Sequence, residues 1–112
     1  MPPEDHARIL HMIEAAQSAI NFVTGRQRAD LNSGQMLLFA LIRAIEVVGE
    51  AASRVTEITR RSAADIPWSS VVSMRKRLIH AYFDVDSDVV WKTATEEPPA
   101  LLSKLRTLPI PR

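Results

Sequence analysis

Leu38, Leu41, Ile45, Val48, Ala52 and Val55 succeed one another at steps of three and four residues without a break. That spacing keeps apolar side chains on one face of an α-helix and would scatter them over both faces of a strand, so it constrains the fold class before anything else. The seam predicts one long helix from about Gly34 to Arg61, suited to a bundle core or to a partner helix. On its other face Arg43, Glu46, Glu50 and Arg54 fall within roughly 80° of one another. They form either a solvated face with ion pairs or the lining of a cleft. Gly49, unfavourable inside a helix, points to close approach by another helix.

The pattern recurs on both sides of this seam. Pro2 and Pro3 precede Glu4 and Asp5, a helix entry with acids at the positive end of the dipole. Ile9, Ile13, Ala16, Ile20 and Val23 form the stripe of a first helix ending near Gly25. Arg26 to Gly34 is polar and reads as a loop, with Asn32 or Ser33 as the N-cap that follows. Ser62 to Trp68 interrupts the pattern, and Pro67 suits the first turn of a third helix. Val71, Met74 and Leu78 are its expected buried face, with Trp68 packed in the core. Asp86 or Ser87 caps a fourth helix through Val89, Val90, Trp91 and Ala94, and Pro98-Pro99 kinks or restarts it. Leu101, Leu102, Leu105 and Leu108 supply the last apolar face. The expectation is an all-α protein: one domain over residues 1–112, folded as an antiparallel bundle of four to five helices.

A chain of 112 residues buries roughly 65% of its unfolded surface, enough for one core. It has no cysteine, which excludes disulfides, a thiol nucleophile and thiolate metal sites, and agrees with a reducing compartment. The start MPPEDHARIL is acidic where a signal peptide is basic, and no apolar run reaches membrane-spanning length, so a soluble cytoplasmic protein without a membrane partner is expected. His6 and His11 are five apart and do not share a helix face, which makes them packing or surface residues. Asp84, Asp86 and Asp88 resemble the start of a calcium loop, but Val89 and Thr95 stand where that loop needs Gly and Glu. No metal or other cofactor is expected.

The chemistry concentrates in SMRKRLIHAYFDVDSDVVW, Ser73 to Trp91. Arg75 offers a fixed charge and a planar fork suited to phosphate. His80 can give or take a proton near neutral pH, and Tyr82 adds a phenol two residues on. The formal net charge of +1 does not by itself point to nucleic acid, but Arg60-Arg61 and Arg75-Lys76-Arg77 gather positive charge around this segment. On an ideal helix Arg75 and Tyr82 lie within about 20° of each other and His80 about 140° from Arg75. Either the helix ends or bends near His80, or a second copy of the chain completes the site.

The string R-x4-H-x-Y, filled by Arg75, His80 and Tyr82 and followed by Phe83 and Val90-Trp91, resembles the signature of the HepT-like toxins, a branch of the HEPN (higher eukaryote and prokaryote nucleotide-binding) superfamily. IRAIEVVGEAA matches that branch's second-helix pattern through Ile42, Arg43, Glu46, Gly49, Glu50 and Ala51, and Ile66-Pro67-Trp68 matches a third feature. The three occur in order over about residues 5 to 108. Two positions differ: Lys76 stands where members usually carry Asn or Asp, and Ser73 where many carry Gly.

The resemblance implies a HEPN-like helical homodimer and a metal-independent ribonuclease that acts as the toxin of a toxin–antitoxin pair. In that reading Arg75 and His80 are catalytic in a cleft shared by two subunits, with Arg43, Glu46, Glu50, Lys76 and Arg77 around them. It further implies an antitoxin of the MNT type, a minimal nucleotidyltransferase that can transfer AMP to the motif tyrosine, here Tyr82. The alternative is a module without nuclease activity that holds nucleotide or the transferase, a reading to which Lys76 contributes.

Overall fold

Among residues 1–78 and 86–111, which the computed structural model describes, all regular structure is helical. The order is α1 (Pro3–Val23), α2 (Asp30–Ser33), α3 (Gln35–Ser53), α4 (Glu57–Ser62), α5 (Trp68–Leu78) and α6 (Ser87–Leu105). The four long helices make the bundle that the periodicity predicts, and α2 and α4 are short connectors. α3 lies at the centre, packed against α1, α5 and α6, while α1 also packs on α6. Ile9, Met12, Leu41, Ile45, Val90 and Leu105 are almost completely removed from water and mark the core. Val71, Met74 and Leu78 point into it as expected. The Asp86 carboxylate accepts from the backbone N–H groups of Asp88 and Val89, which caps α6.

The long second helix is not continuous. It stops at Ser53, Thr56 is extended (φ −69°, ψ 158°), and α4 begins at Glu57. The cause lies 51 residues upstream. Asp5 is fully buried, and one carboxylate oxygen takes the Thr56 backbone N–H at 3.1 Å. Its other oxygen accepts the hydroxyls of Thr56 and Thr59, each at 2.5 Å. An N–H given to Asp5 cannot continue the α3 ladder. Arg60 completes the corner by donating to the carbonyls of Ala52 (2.8 Å) and Val55 (3.1 Å) at the end of α3. Val55 stays buried beyond the helix end, so the apolar seam survives the break. Asp5 therefore ties the start of α1 to the end of α3 and makes the two antiparallel, a larger role than an acid placed for the dipole.

Two other expectations are corrected. Asn32 and Ser33 belong to α2, and Gly34 takes the N-cap position of α3. A Cβ at Gly34 would sit 2.8 Å from the Asp30 carbonyl oxygen, so the tight passage from α2 into α3 requires glycine. Of the two alternatives for Pro98-Pro99, a kink or a restart, the restart is excluded, since α6 runs through both. Val90, Ala94, Pro98, Leu101 and Leu105 are all buried and follow one another at steps of four and three. Burial of that stripe on the core outweighs the backbone bonds the prolines forfeit.

Burial pushes the Asp5 carboxyl up, but the hydrogen bonds from the Thr56 and Thr59 side chains and the Thr56 backbone, with the Met1 amino charge, outweigh it and hold the group below its ordinary 3.8. A depressed native value gives stability that is present above the unfolded-state value and lost as pH falls through the native one. Wild-type stability should accordingly decline below about pH 4. In urea melts at neutral pH, Asp5→Ala should cost about 2–4 kcal/mol, because it strands the buried Thr59 hydroxyl and the two part-buried donors of Thr56. The variant should also lose part of the acid dependence.

Candidate active site

The start of α5 is fixed before its functional face begins. The Trp68 indole N–H donates to the Ala63 carbonyl at 3.1 Å, and the Arg60 guanidinium lies 5.9 Å from the centre of the indole ring. With Val71, Met74 and Leu78 held in the core, the rotation of α5 is set. The side chains Arg75, Lys76 and Arg77 must then leave the helix about 100° apart. Arg75 is half-buried on the α3 side, where its Cγ lies against Gly49. Lys76 is exposed and turned toward α4, in a groove with Arg60, Arg61, Ser69 and Ser73. Arg77 reaches α6 and donates to both oxygens of Glu97, at 3.1 and 3.0 Å. Among the described residues Arg75 and Lys76 enter no ion pair, so of the three cations only Arg77 is committed to a carboxylate.

The expected α3 residues divide between two directions. Arg43 and Glu50 line a pocket of about 260 Å³ with Arg8 and His11 of α1 and Arg54, and Glu50 pairs with Arg54 at 3.5 Å. Glu46 is half-buried and stands about 60° from Arg43 and about 60° from Gly49, between the α1 groove and the α5 contact. The polar stripe is thus partly an ion-paired surface and partly a border to Arg75. His80 and Tyr82 lie outside the described residues, as does Phe83. Among the described residues no group of three or more His, Asp or Glu side chains gathers as a metal site, and no helix is long and apolar enough to cross a membrane. The groove carrying Arg61 and Ser69 was foreshadowed only by the Arg60-Arg61 pair, since it takes the turn from α4 to α5 to bring it beside Lys76.

A family model described as "Ribonuclease HepT-like" matches residues 12–108. The chain is 38% identical to "Probable ribonuclease HepT" of Thermococcus cleftensis, over 94% of this chain and 90% of the relative. It is 30% identical to "Putative RNase MJ1380" of Methanocaldococcus jannaschii, over 85% and 87%. A further relative, "Putative RNase TTE0752" of Caldanaerobacter subterraneus, is 29% identical, with 88% of each chain covered. No solved structure matches.

Gly49 sets how closely α3 and α5 approach beneath Arg75. A Cβ built there would lie 3.4 Å from the Val71 carbonyl oxygen, 3.5 Å from that of Val72 and 3.6 Å from Arg75 Cγ. These are ordinary contacts for a methyl group and leave no room for more. Gly49→Ala should keep the fold and gain up to about 1 kcal/mol from helix propensity. Gly49→Leu should lose about 1–3 kcal/mol by forcing α5 and the Arg75 stem away, as read by chemical denaturation.

Proposed function

The chain belongs to the HepT-like ribonuclease family of the HEPN superfamily, and from that membership we propose that it is a metal-independent endoribonuclease centred on Arg75 and His80. The observation that carries this reading is Arg75: a half-buried arginine with its stem beside Gly49, in no ion pair among the described residues, on the helix that precedes His80 in the chain. RNA brings its own nucleophile. The ribose 2′-oxygen attacks the adjacent phosphorus as its proton passes to a base, and the bond to the 5′-oxygen breaks as that oxygen gains a proton. His80 serves this proton transfer, while Arg75 stabilises the charge that builds on the phosphorane oxygens. The products are a 2′,3′-cyclic phosphate and a 5′-hydroxyl. Of the residues expected around it, Glu46 stands between Arg43 and the Gly49 contact, whereas Arg43 and Glu50 face the α1 pocket, Lys76 the α4–α5 groove and Arg77 the Glu97 carboxylate.

The active form in this proposal is a homodimer, in which two copies contribute to one cleft. Its support is a face on α1 and α3 where Met36 is 87%, Phe39 58% and Phe22 39% exposed. Phe22 borders a mostly apolar groove of about 370 Å³ lined by Ala15, Ala40, Ala44 and Val47 together with His11, Glu14, Ser18 and Arg43. Apolar side chains beside such a groove on one surface suit a two-fold contact. The protein acts as the toxin of a toxin–antitoxin pair in cytoplasm, and its antitoxin is a nucleotidyltransferase of the MNT type. Transfer of AMP from ATP to the Tyr82 hydroxyl, with release of pyrophosphate, would add a negatively charged phosphodiester to the motif and exclude RNA by charge and bulk. Lys76, in place of the polar residue usual after the arginine, supports a second reading, a binding module that holds nucleotide or the transferase without cutting RNA.

Purified protein should cleave RNA, and Arg75→Ala or His80→Ala should each lower the single-turnover rate at least about 100-fold while the protein stays folded. Phe39→Glu should give a monomer by light scattering and lose cleavage with it. Cleavage unchanged in His80→Ala would remove the proposed proton-transfer residue, and a folded dimer inert on every RNA tried would favour the binding module.

A further inference from the structure

The groove between α4 and α5 opens beside Arg75 but is a separate surface. Among the described residues it holds about 630 Å³ and is lined by Arg60, Arg61, Ser69, Ser73 and Lys76, with Glu57 as the one carboxylate and the buried Trp68 in its wall. Its groups differ in how far they are already committed. Arg60 gives its donors to the Ala52 and Val55 carbonyls, and Arg61 meets Glu57 at 3.3 Å in a pair open to solvent. Such a pair is worth little and exchanges readily for another anion. Lys76 is in no ion pair among the described residues, and Ser69 is exposed. Two exposed cations and an exposed hydroxyl thus face one groove.

Resting on the ribonuclease reading, we propose that this groove holds the phosphate backbone of the RNA strand next to the scissile bond, with Lys76 and Arg61 as its phosphate contacts. Arg75 and Lys76 are neighbours on α5 and diverge by about 100°, so a strand whose reacting phosphate meets Arg75 can lay an adjacent phosphate against Lys76. Among the described residues the groove offers bases no open stacking platform: Trp68, the one aromatic residue that lines it there, is 7% exposed and has the Arg60 guanidinium 5.9 Å from its ring centre. Recognition here is therefore electrostatic and, being made to phosphates, tolerant of sequence. Lys76 and Arg61 are positioning residues that hold the strand while Arg75 and His80 act on it.

The test measures binding of a 5′-labelled, fully 2′-O-methylated RNA 12-mer by fluorescence anisotropy across a salt series, beside cleavage of the matching unmodified RNA. Arg61→Ala/Lys76→Ala should weaken binding about tenfold and reduce the slope of log K against log salt by roughly 1.4, two single-strand phosphate contacts. KM should rise while the rate at saturating RNA stays within about twofold, a split that damage to the catalytic centre would not give. Ser69→Glu should weaken binding as well, whereas Asn21→Glu, which adds the same charge on the exposed side of α1, should not. If wild-type protein cleaves RNA and the groove variants match it in binding, salt slope and KM, the groove is not on the RNA path and the ribonuclease reading stands. A wild-type protein that neither binds nor cleaves RNA overturns both.

Discussion

α3 is packed against α1, α5 and α6, and a helix enclosed on three sides keeps only one strip of surface for anything else. Leu41, Ile45, Val48 and Ala52 fill its core side, and at Gly49 the space before the α5 backbone is that of a methyl group. The remaining strip carries Met36 and Phe39 at one end and Arg43, Glu50 and Arg54 at the other. The rotation of α3 therefore settles three matters together: where the core runs, how α5 is seated, and which face is left for a partner. Arg75 inherits its position from this arrangement through the contact at Gly49.

Most of the bundle could be read from apolar spacing, because burial of one face is a local pattern with a fixed period. The stripes of α1 and α5, the seam of α3 and the Asp86 cap needed no knowledge of distant residues. The break after Ser53 did. Nothing between Arg54 and Glu57 stops a helix by itself, and Val55 even keeps the period. The interruption depends on a carboxylate 51 residues away that takes the Thr56 N–H. Asp5 looked like a first-turn acid of ordinary kind, and only the tertiary contact reveals it as a buried acceptor of three hydrogen bonds. The uninterrupted α6 has the same character, since Pro98 is tolerated for what its neighbours bury rather than for its own propensity.

The functional segment was legible as chemistry, less so as geometry. Arg75-Lys76-Arg77 reads as a block of charge, yet a helix divides it into a seat on α3, a wall of the α4–α5 groove and a clasp to Glu97. Charge runs on helices distribute cations around an axis, so adjacency in sequence is a poor guide to a shared site. Arg43 and Glu50 show the converse, meeting Arg8 and His11 from a helix some thirty residues earlier in a pocket of their own. His80 and Tyr82 lie outside the described residues, so their part in the account rests on the motif and on the family.

The most direct test of the central claim is the identity of the RNA ends formed by purified protein in excess EDTA. Metal-independent attack by the 2′-oxygen predicts 2′,3′-cyclic phosphate and 5′-hydroxyl ends, with no cut at a position carrying 2′-deoxyribose. Cleavage that leaves 5′-phosphate ends, proceeds at 2′-deoxy positions or stops on chelation would contradict it.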